Sequence, residues 1–258
     1  MRKAWNAAFA CYQAQYPDLS DQIERLQKRG LPDGWDASLP AFAPSVSGMS
    51  TRDASSKILI TVAEQVPWLV GGAADLASST KTRLAFEFAG DFQAGRRLGD
   101  HRGRNFHFGV RGHAMCAVNG MTLSGMRAFA PGFLIFTDYA RGAIRLASIM
   151  DLPVLHVWTH HSISVGEDGP THQPIEQILS LRGIPGMIVI RPADANEMTE
   201  AYRFILGPAC RADLLATGAA DRRPQSIRSR QPTGARRLYS GRRRSLVSPV
   251  VRRRPKAL

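Results

Sequence analysis

Residues 153–182 read PVLHVWTHHSISVGEDGPTHQPIEQILSLR and carry the strongest indication of the fold. It begins with a short apolar run, continues in a loop that holds glycines and histidines, and ends in a segment with helical spacing after Pro174. A buried strand followed by a loop and a helix is the repeating unit of a parallel sheet. The stretch therefore predicts an α/β domain with polar side chains at the carboxyl end of a strand.

Similar units lie on both sides of this stretch. We expect strands at 67–72, 105–110, 127–130, 153–158 and 187–191. We expect helices at 51–66, 82–89, 113–125, 134–150, 174–182 and 196–206. Short apolar strands that alternate with helices predict a mostly parallel sheet flanked by helices.

The chain divides into three parts by composition. Residues 1–50 form a helical linker segment with a break at Tyr16-Pro17-Asp18, and we expect its Trp35 and Phe42 to dock onto a neighbouring surface. Residues 51–206 carry the α/β pattern. Residues 207–258 are rich in arginine and show no period, so we expect this tail to be disordered.

The net charge of +13 is concentrated in the tail. Residues 211–258 carry 13 Arg and one Lys against two Asp, whereas the rest of the chain carries 20 basic and 19 acidic side chains. A nearly neutral body disfavours a basic nucleic-acid-binding fold, so nucleic acid remains a partner only for the tail. The tail's composition resembles a frameshifted translation, and a functional basic extension is the alternative.

Membrane and secreted classes are also disfavoured. No apolar run reaches the ~20 residues that cross a bilayer, and Asn6 and Gln13 interrupt the start before the core of a signal peptide forms. Cys11, Cys116 and Cys210 are odd in number and form no CxxC pair. We therefore expect a reduced, cytoplasmic protein with no membrane partner.

The loop GEDGPTHQP at 166–174 combines two carboxylates and a histidine with glycines and prolines that fix the backbone. Such a loop can aim polar groups at a ligand, and a purely structural strand-to-helix loop is the alternative that the pattern leaves open. His156 and His160 lie four residues apart, but this spacing does not converge in a strand. We therefore expect no metal site on these histidines.

Four segments resemble the transketolase family of thiamine-diphosphate-dependent glycolaldehyde transferases. They are THHSISVGEDGPTHQPIE at 159–176, GRNFHFGVRGHAM at 103–115, GFLIFTDYARGAIR at 132–145 and RPADANE at 191–197. The resemblance covers residues 5–206 and implies the thiamine-diphosphate-binding fold of the pyrimidine-binding middle domain, in a chain that lacks the family's other two domains. The related dihydroxyacetone synthases share the pattern and are an alternative within the family.

The resemblance also implies a reaction and its partners. The family moves a two-carbon ketol unit from a ketose phosphate to an aldose phosphate with thiamine diphosphate and Mg²⁺. The implied partners are sugar phosphates and either a second copy of this chain in a homodimer or a complementing full-length subunit. No GDG motif for the diphosphate and metal occurs in this sequence, so we expect the chain to be inactive alone.

Several side chains match the family's cofactor site. The resemblance places Phe133, Phe136 and Tyr139 around the aminopyrimidine ring, where aromatic faces suit a flat heterocycle. Their spacing of three residues is equally typical of core packing on a helix. Asp75 aligns with a cofactor-site carboxylate, and capping of a turn is its alternative role.

Other side chains match the family's substrate site. Arg52 and Ser79 match positions that hold the substrate phosphate, which suits a guanidinium and a hydroxyl because both donate to phosphate oxygens. His160, Asp168 and His172 match positions that contact sugar hydroxyls or assist proton movement. Taken alone, Arg52 is equally compatible with a solvated helix residue.

The sequence departs from the family at its catalytic glutamate. The family motif Val-Arg-Glu-His is replaced by Val110-Arg111-Gly112-His113. In the family this glutamate bonds the pyrimidine-ring nitrogen, and glycine supplies no carboxylate for that proton transfer. His161 replaces an aspartate, and Ser164 replaces a glycine. Three explanations of these departures stay open: the gene copy is inactivated, the chain is a dimerising pseudo-enzyme, or the sequence contains errors.

Overall fold

The computed structural model describes residues 2–44, 48–93, 101–117, 119–161, 163–207, 213–216 and 222–223. The strands within these ranges are β1 (Met49–Ser50), β2 (Leu69–Gly71), β3 (Asp91–Phe92), β4 (Asn105–Phe106), β5 (Arg127–Phe133), β6 (Leu155–Thr159), β7 (Ile188–Ile190), β8 (Asp213–Ala216) and β9 (Arg222–Arg223). The helices are α1 (Arg2–Gln15), α2 (Pro17–Gln27), α3 (Thr51–Gln65), α4 (Ala77–Thr80), α5 (Gly112–Cys116), α6 (Asn119–Leu123), α7 (Thr137–Ile149), α8 (Gln177–Arg182) and α9 (Ala195–Leu206). Two 3-10 turns cover Leu134–Phe136 and Ile163–Asp168.

The strands β2 to β8 form one parallel sheet. Its order is β3-β4-β2-β5-β6-β8-β7, and each neighbouring pair is parallel. The short strands β1 and β9 pair separately and antiparallel. The predicted α/β class with a mostly parallel sheet is therefore confirmed. In such a sheet every carboxyl end lies at the same edge, so the loops after the strands meet there.

Helices cover the sheet on both faces because side chains alternate along its strands. Phe129 of β5 packs on one face in a cluster with α3 and α9. Its neighbours Ala128 and Ala130 belong to a second cluster, which contains α5 and α7. Small residues on β5 and α7 allow the second layer to approach closely, and the largest fully buried side chain there is Trp158.

The expectation of a disordered tail after Leu206 is wrong at residues 213–216. These residues form β8, which lies between β6 and β7 in the interior of the sheet. Without β8 the facing edges of β6 and β7 would have backbone N–H and C=O groups with no partner. The run DLLA has only four residues, so it does not stand out in the arginine-rich composition of the tail. Residues 222–223 are also a strand, and most of the remaining tail lies outside the described residues.

Two predicted helices also differ from the structure. The short helix expected at 82–89 is instead α4 at Ala77–Thr80, which ends where Lys81 adopts a left-handed conformation with φ +55°. The helix expected at 113–125 is divided into α5 and α6. No helix within the described ranges has the length and apolarity needed to span a bilayer.

The N-terminal segment lies across the layer formed by α3 and α9. The predicted helix break is present between Gln15 and Pro17. Trp35 and Phe42 pack against the core cluster of that layer, as expected. Phe42 is held by a pair of hydrogen bonds, in which its N–H donates to Asn196 Oδ1 at 2.9 Å and its carbonyl accepts from Asn196 Nδ2 at 3.0 Å.

Candidate functional site

The candidate site begins where β5 and β6 end. Phe133 and Thr159 are the last residues of these strands and are register partners across the ladder. The next residue, His160, therefore lies beside Phe133, and their ring centroids are 3.8 Å apart. His160 has φ +56°, a left-handed conformation that turns the chain sharply at the end of the strand.

The predicted aromatic residues form one cluster at this edge. The rings of Phe133 and Phe136 lie 5.9 Å apart and are nearly parallel, and Tyr139 lies 6.0 Å beyond Phe136. The ring of His172 is directed edge-on at both phenylalanines, at 5.7 and 5.4 Å. Phe133 is buried, whereas Tyr139 is 71% exposed, so the cluster runs from the core to the surface. Such a surface suits a flat aromatic ligand.

His160 is held in a neutral form by its surroundings. Its Nδ1 shares a 2.7 Å hydrogen bond with the Thr159 hydroxyl, and its Nε2 lies 3.9 Å from Asp168 Oδ2. The pKa of His160 is lowered to about 4, chiefly by burial and also by the Arg52 and His172 charges, against an opposing effect of Asp168. At neutral pH this imidazole can therefore exchange hydrogen bonds with a ligand without carrying a charge.

The structure brings the predicted phosphate-binding pair together. Arg52 lies in the first turn of α3, and its Nη1 donates a 2.9 Å hydrogen bond to the carbonyl oxygen of Ser79. The buried Nε of Arg52 has no hydrogen-bond partner among the described residues. Burial of a donor without a partner is energetically costly. The positive charge of Arg52 contributes to the lowered pKa of His160.

Gly112 lies at the edge of the aromatic cluster. It is the first residue of α5, and a Cβ built on it would lie 3.5 Å from the Cβ of Tyr139, which is ordinary contact distance. Its φ is outside the left-handed region, so the backbone does not require glycine here. A Cβ is therefore sterically acceptable at this position.

Asp75 is the predicted residue that stands apart. It lies exposed on the loop between β2 and α4 with φ +59°. No hydrogen bond or ion pair in the described part of the chain joins it to the cluster around His160. Its loop nevertheless follows the carboxyl end of β2, at the same edge of the sheet as the cluster.

Two further side chains at this edge were not singled out from the sequence. Thr159 is fully buried and orients the His160 ring through the shared hydrogen bond. Arg191, the residue after β7, places Nη2 3.1 Å from Nδ1 of His161. Their positions in the sequence could have identified them, because a polar residue at or directly after the end of a parallel strand lies at the ligand-binding edge of the sheet.

A family model described as "Transketolase, pyrimidine binding domain" matches residues 47–210. The transketolase of Bacillus subtilis is 49% identical over 202 residues, which are 78% of this chain and 29% of that protein. The chain thus spans about a third of the length of the curated relatives it matches.

Solved structures agree with the sequence match. A transketolase of Pichia stipitis in complex with sedoheptulose-7-phosphate superposes with a TM-score of 0.79 at 37% identity, over 86% of this chain and 33% of that one. A more distant similarity is to a "split gene transketolase, inactive beta4 tetramer", with a TM-score of 0.52 at 26% identity, over 67% of this chain and 52% of that one.

Proposed function

The chain belongs to the transketolase family, and from this premise we propose that it supplies the pyrimidine-binding half of a transketolase active site. The proposal rests on one observation above all. The residues that match the family's site converge at one edge of the parallel sheet, where Phe133, His160 and His172 are in ring contact. The family match over residues 47–210 supports the same assignment.

The aromatic cluster fits the aminopyrimidine ring of thiamine diphosphate. Phe133 and Phe136 offer nearly parallel faces to a flat ring, and Tyr139 extends this surface. Asp75 is the proposed carboxylate of the cofactor-binding loop. When bound, thiamine diphosphate supplies a stabilised carbanion for moving a two-carbon ketol unit. The protein's part is to hold the ring and to control the proton on its nitrogen.

Mg²⁺ is not assigned to this chain. The described residues contain no group of three or more His, Cys, Asp or Glu side chains placed to hold a metal ion. We assign the metal and the cofactor diphosphate to a separate diphosphate-binding part, which the longer relatives would carry outside the matched third of their length.

The substrate end of the site fits a sugar phosphate. The Arg52 guanidinium and Ser79 are together, and both side chains suit phosphate oxygens. His160, Asp168 and His172 are the proposed partners of the sugar hydroxyls, with which they would exchange hydrogen bonds. A similar protein was crystallised with sedoheptulose-7-phosphate, which belongs to this ligand class.

Gly112 occupies the position where the family motif has its catalytic glutamate. With no side chain at this position, the chain has no carboxylate to bond the pyrimidine nitrogen, and the neighbouring His113 projects from a different position. We therefore propose that the chain binds but does not turn over substrate, so that it acts as a non-catalytic partner subunit. The free thiols of Cys11 and Cys116 fit a reducing, cytoplasmic compartment.

We propose that the exposed side of α7 is the assembly surface of this half-site. Three large side chains of this helix, Tyr139, Leu146 and Ile149, are exposed to water. Either a second copy or a complete transketolase subunit would cover it. The similar split-gene protein, described as an inactive β4 tetramer, supports assembly of such a chain without a catalytic partner.

The test is complementation with the diphosphate-binding part of a relative such as the B. subtilis enzyme. The chain is mixed with that part, thiamine diphosphate and Mg²⁺, and cofactor binding and two-carbon transfer are measured separately. We expect binding without turnover, and turnover once Gly112→Glu is introduced. If the native chain binds the cofactor no better than the Phe133→Ala control, the assignment of the aromatic cluster is wrong.

A further inference from the structure

Two histidines of the candidate site each follow a threonine whose hydroxyl lies on their Nδ1. Thr159 Oγ1 is 2.7 Å from His160 Nδ1, and Thr171 Oγ1 is 2.8 Å from His172 Nδ1. A hydrogen bond at one ring nitrogen determines which nitrogen of a neutral imidazole carries the proton. The Thr159–His160 pair is the more constrained of the two, because both of its residues are buried.

The hydroxyl of Thr159 has one proton and two acceptors within reach. His160 Nδ1 lies at 2.7 Å, whereas the carbonyl oxygen of Gly132 lies at 3.4 Å. The shorter distance is usual for an O–H donor and lies at the short limit for an N–H donor. Since Thr159 is fully buried, bulk water does not compete for its proton. The hydroxyl therefore donates to Nδ1, which leaves the ring proton on Nε2.

The carboxylate beside the other ring nitrogen favours the same placement of the proton. Nε2 of His160 lies 3.9 Å from Asp168 Oδ2. An ionised carboxylate only accepts hydrogen bonds, so it attracts an Nε2–H and repels a lone pair on Nε2. The distance exceeds that of a direct hydrogen bond. The carboxylate therefore favours the proton on Nε2 without binding it directly.

The ring of His160 carries a single proton at neutral pH and is held in place. Burial is the main reason that its pKa is lowered to about 4, so the ring is neutral. Its backbone has φ +56°, and its ring centroid lies 3.8 Å from that of Phe133. A half-turn of the ring would move Nδ1 away from the Thr159 hydroxyl. The two ring nitrogens therefore keep distinct surroundings.

We propose that Thr159 is a positioning residue that fixes His160 as the Nε2–H tautomer, so that the imidazole presents a hydrogen-bond donor at Nε2. An oxygen atom of the ligand is then bound by donation from Nε2–H, and Nε2 has no lone pair with which to take up a ligand proton. For the class of the ligand, a sugar phosphate, the inference rests on the proposed function. The placement of the proton in the free chain does not depend on that function.

The first test locates the proton in the free chain. NMR of the isotope-labelled imidazole nitrogens distinguishes a nitrogen that carries a proton from one that does not, and the His160→Gln variant identifies the His160 signals. In the native chain at neutral pH we expect Nε2 to carry the proton. Thr159→Val replaces the hydroxyl by a methyl group and should lower the ratio of the Nε2–H to the Nδ1–H tautomer by ~2–10-fold. Thr159→Ser keeps a hydroxyl and should restore the native ratio.

Two controls separate this effect from a general loss of structure. Thr137→Val removes another buried hydroxyl, which donates to the Leu134 carbonyl at 2.8 Å, and it should leave the His160 nitrogens unchanged. The nitrogens of His172 should keep their native signals in Thr159→Val, since their ring has its own threonine. A native chain with the proton on Nδ1 of His160, or a Thr159→Val variant with the native ratio, would overturn the proposal.

The second test measures whether the tautomer affects ligand binding. The probe is sedoheptulose-7-phosphate, which is bound in the structure of a similar protein, and calorimetry gives its dissociation constant. Thr159→Val should raise this constant by ~2–10-fold, whereas Thr159→Ser and Thr137→Val should bind like the native chain. A changed tautomer ratio with an unchanged constant would overturn the donor role of His160. If the native chain does not bind the probe, the proposed function fails, and the NMR result still decides the role of Thr159.

Discussion

Gly112 faces Tyr139 across the end of the aromatic cluster, and a Cβ on Gly112 would stand 3.5 Å from the Cβ of Tyr139. A Cβ at this position therefore meets only an ordinary contact, and the φ of Gly112 lies outside the left-handed region. The backbone does not require glycine here, which is compatible with the proposal that a functional side chain is missing.

Gly112→Glu is expected to accelerate hydrogen exchange at the reactive carbon of bound thiamine diphosphate by ~10²–10⁴-fold. The physical reason is that a carboxylate beside the cluster can share a proton with the ring nitrogen. The measurement uses the chain complemented with a diphosphate-binding part and follows exchange by NMR. The matched control is Gly112→Gln, which fills the same space without the acid and should remain slow. Equal exchange in all three proteins, with cofactor bound, would contradict a catalytic role for this position.

The pKa of His160 should respond to its two charged neighbours in opposite directions. Burial and the Arg52 charge lower the pKa to about 4 in the native chain. Arg52→Met removes a cation, so the pKa should rise, whereas Asp168→Asn removes an anion, so it should fall further. Histidine NMR titrations measure both shifts, with Arg141→Met as a control at a different arginine. A pKa that is insensitive to Arg52→Met would separate the proposed phosphate site from His160.

His156 is expected to make stability depend on pH. It is fully buried in β6, neither ring nitrogen has a hydrogen-bond partner among the described residues, and burial lowers its pKa from 6.5 to about 4. Between these two values the unfolded chain binds a proton that the folded chain does not. The free energy of unfolding should therefore fall by up to about 3 kcal/mol as the pH drops through this window.

His156→Leu should reduce that pH dependence to the part contributed by His160, whose pKa is also lowered to about 4. It should stabilise the protein by about 1–3 kcal/mol at pH 7, because an unpaired buried polar group is lost. Urea unfolding at several pH values checks both effects. His101→Leu serves as the control, since His101 is exposed. An unchanged pH profile in the His156 variant would show that the acid sensitivity arises elsewhere.

The strand β8 should be essential although it lies in the arginine-rich tail. Truncation after Gly207 removes the strand between β6 and β7, and we expect a loss of at least about 2 kcal/mol of stability because several backbone hydrogen bonds disappear. Truncation after Arg223 keeps every described strand and should unfold like the full chain. Thermal and urea unfolding compare the three lengths. Equal stability of the shortest form would mean that β8 contributes nothing to the sheet.

Leu146→Glu should weaken association through the α7 face, because it places a charge in the centre of an exposed apolar surface. Light scattering should show a smaller average mass for this variant than for the native chain. Phe88→Glu is the matched control, since Phe88 is a large exposed apolar residue in a turn elsewhere. If both substitutions lower the mass equally, the effect is general solubility and not an α7 interface.

The fold class follows from the amino-acid sequence, which also suggests most of the residues of the candidate site. Alternating apolar strands and helices require a covered parallel sheet, and a loop such as 166–174 must follow the carboxyl end of its strand. These features are local, so spacing along the chain reveals them. The family resemblance suggests roles for individual side chains, and the glycine at position 112 can be read directly from the sequence.

Contacts between residues that are distant in sequence depend on the tertiary structure. Arg52 and Ser79 are 27 residues apart in sequence, and their hydrogen bond depends on how α3 packs beside the loop after β2. The strand β8 could not be predicted from the sequence, because four residues are too few to show a periodic pattern. In the folded chain they form a strand because they satisfy the backbone hydrogen bonds of β6 and β7. The burial that keeps His160 neutral is likewise a property of the assembled edge, since desolvation depends on neighbours that the chain brings together only by folding.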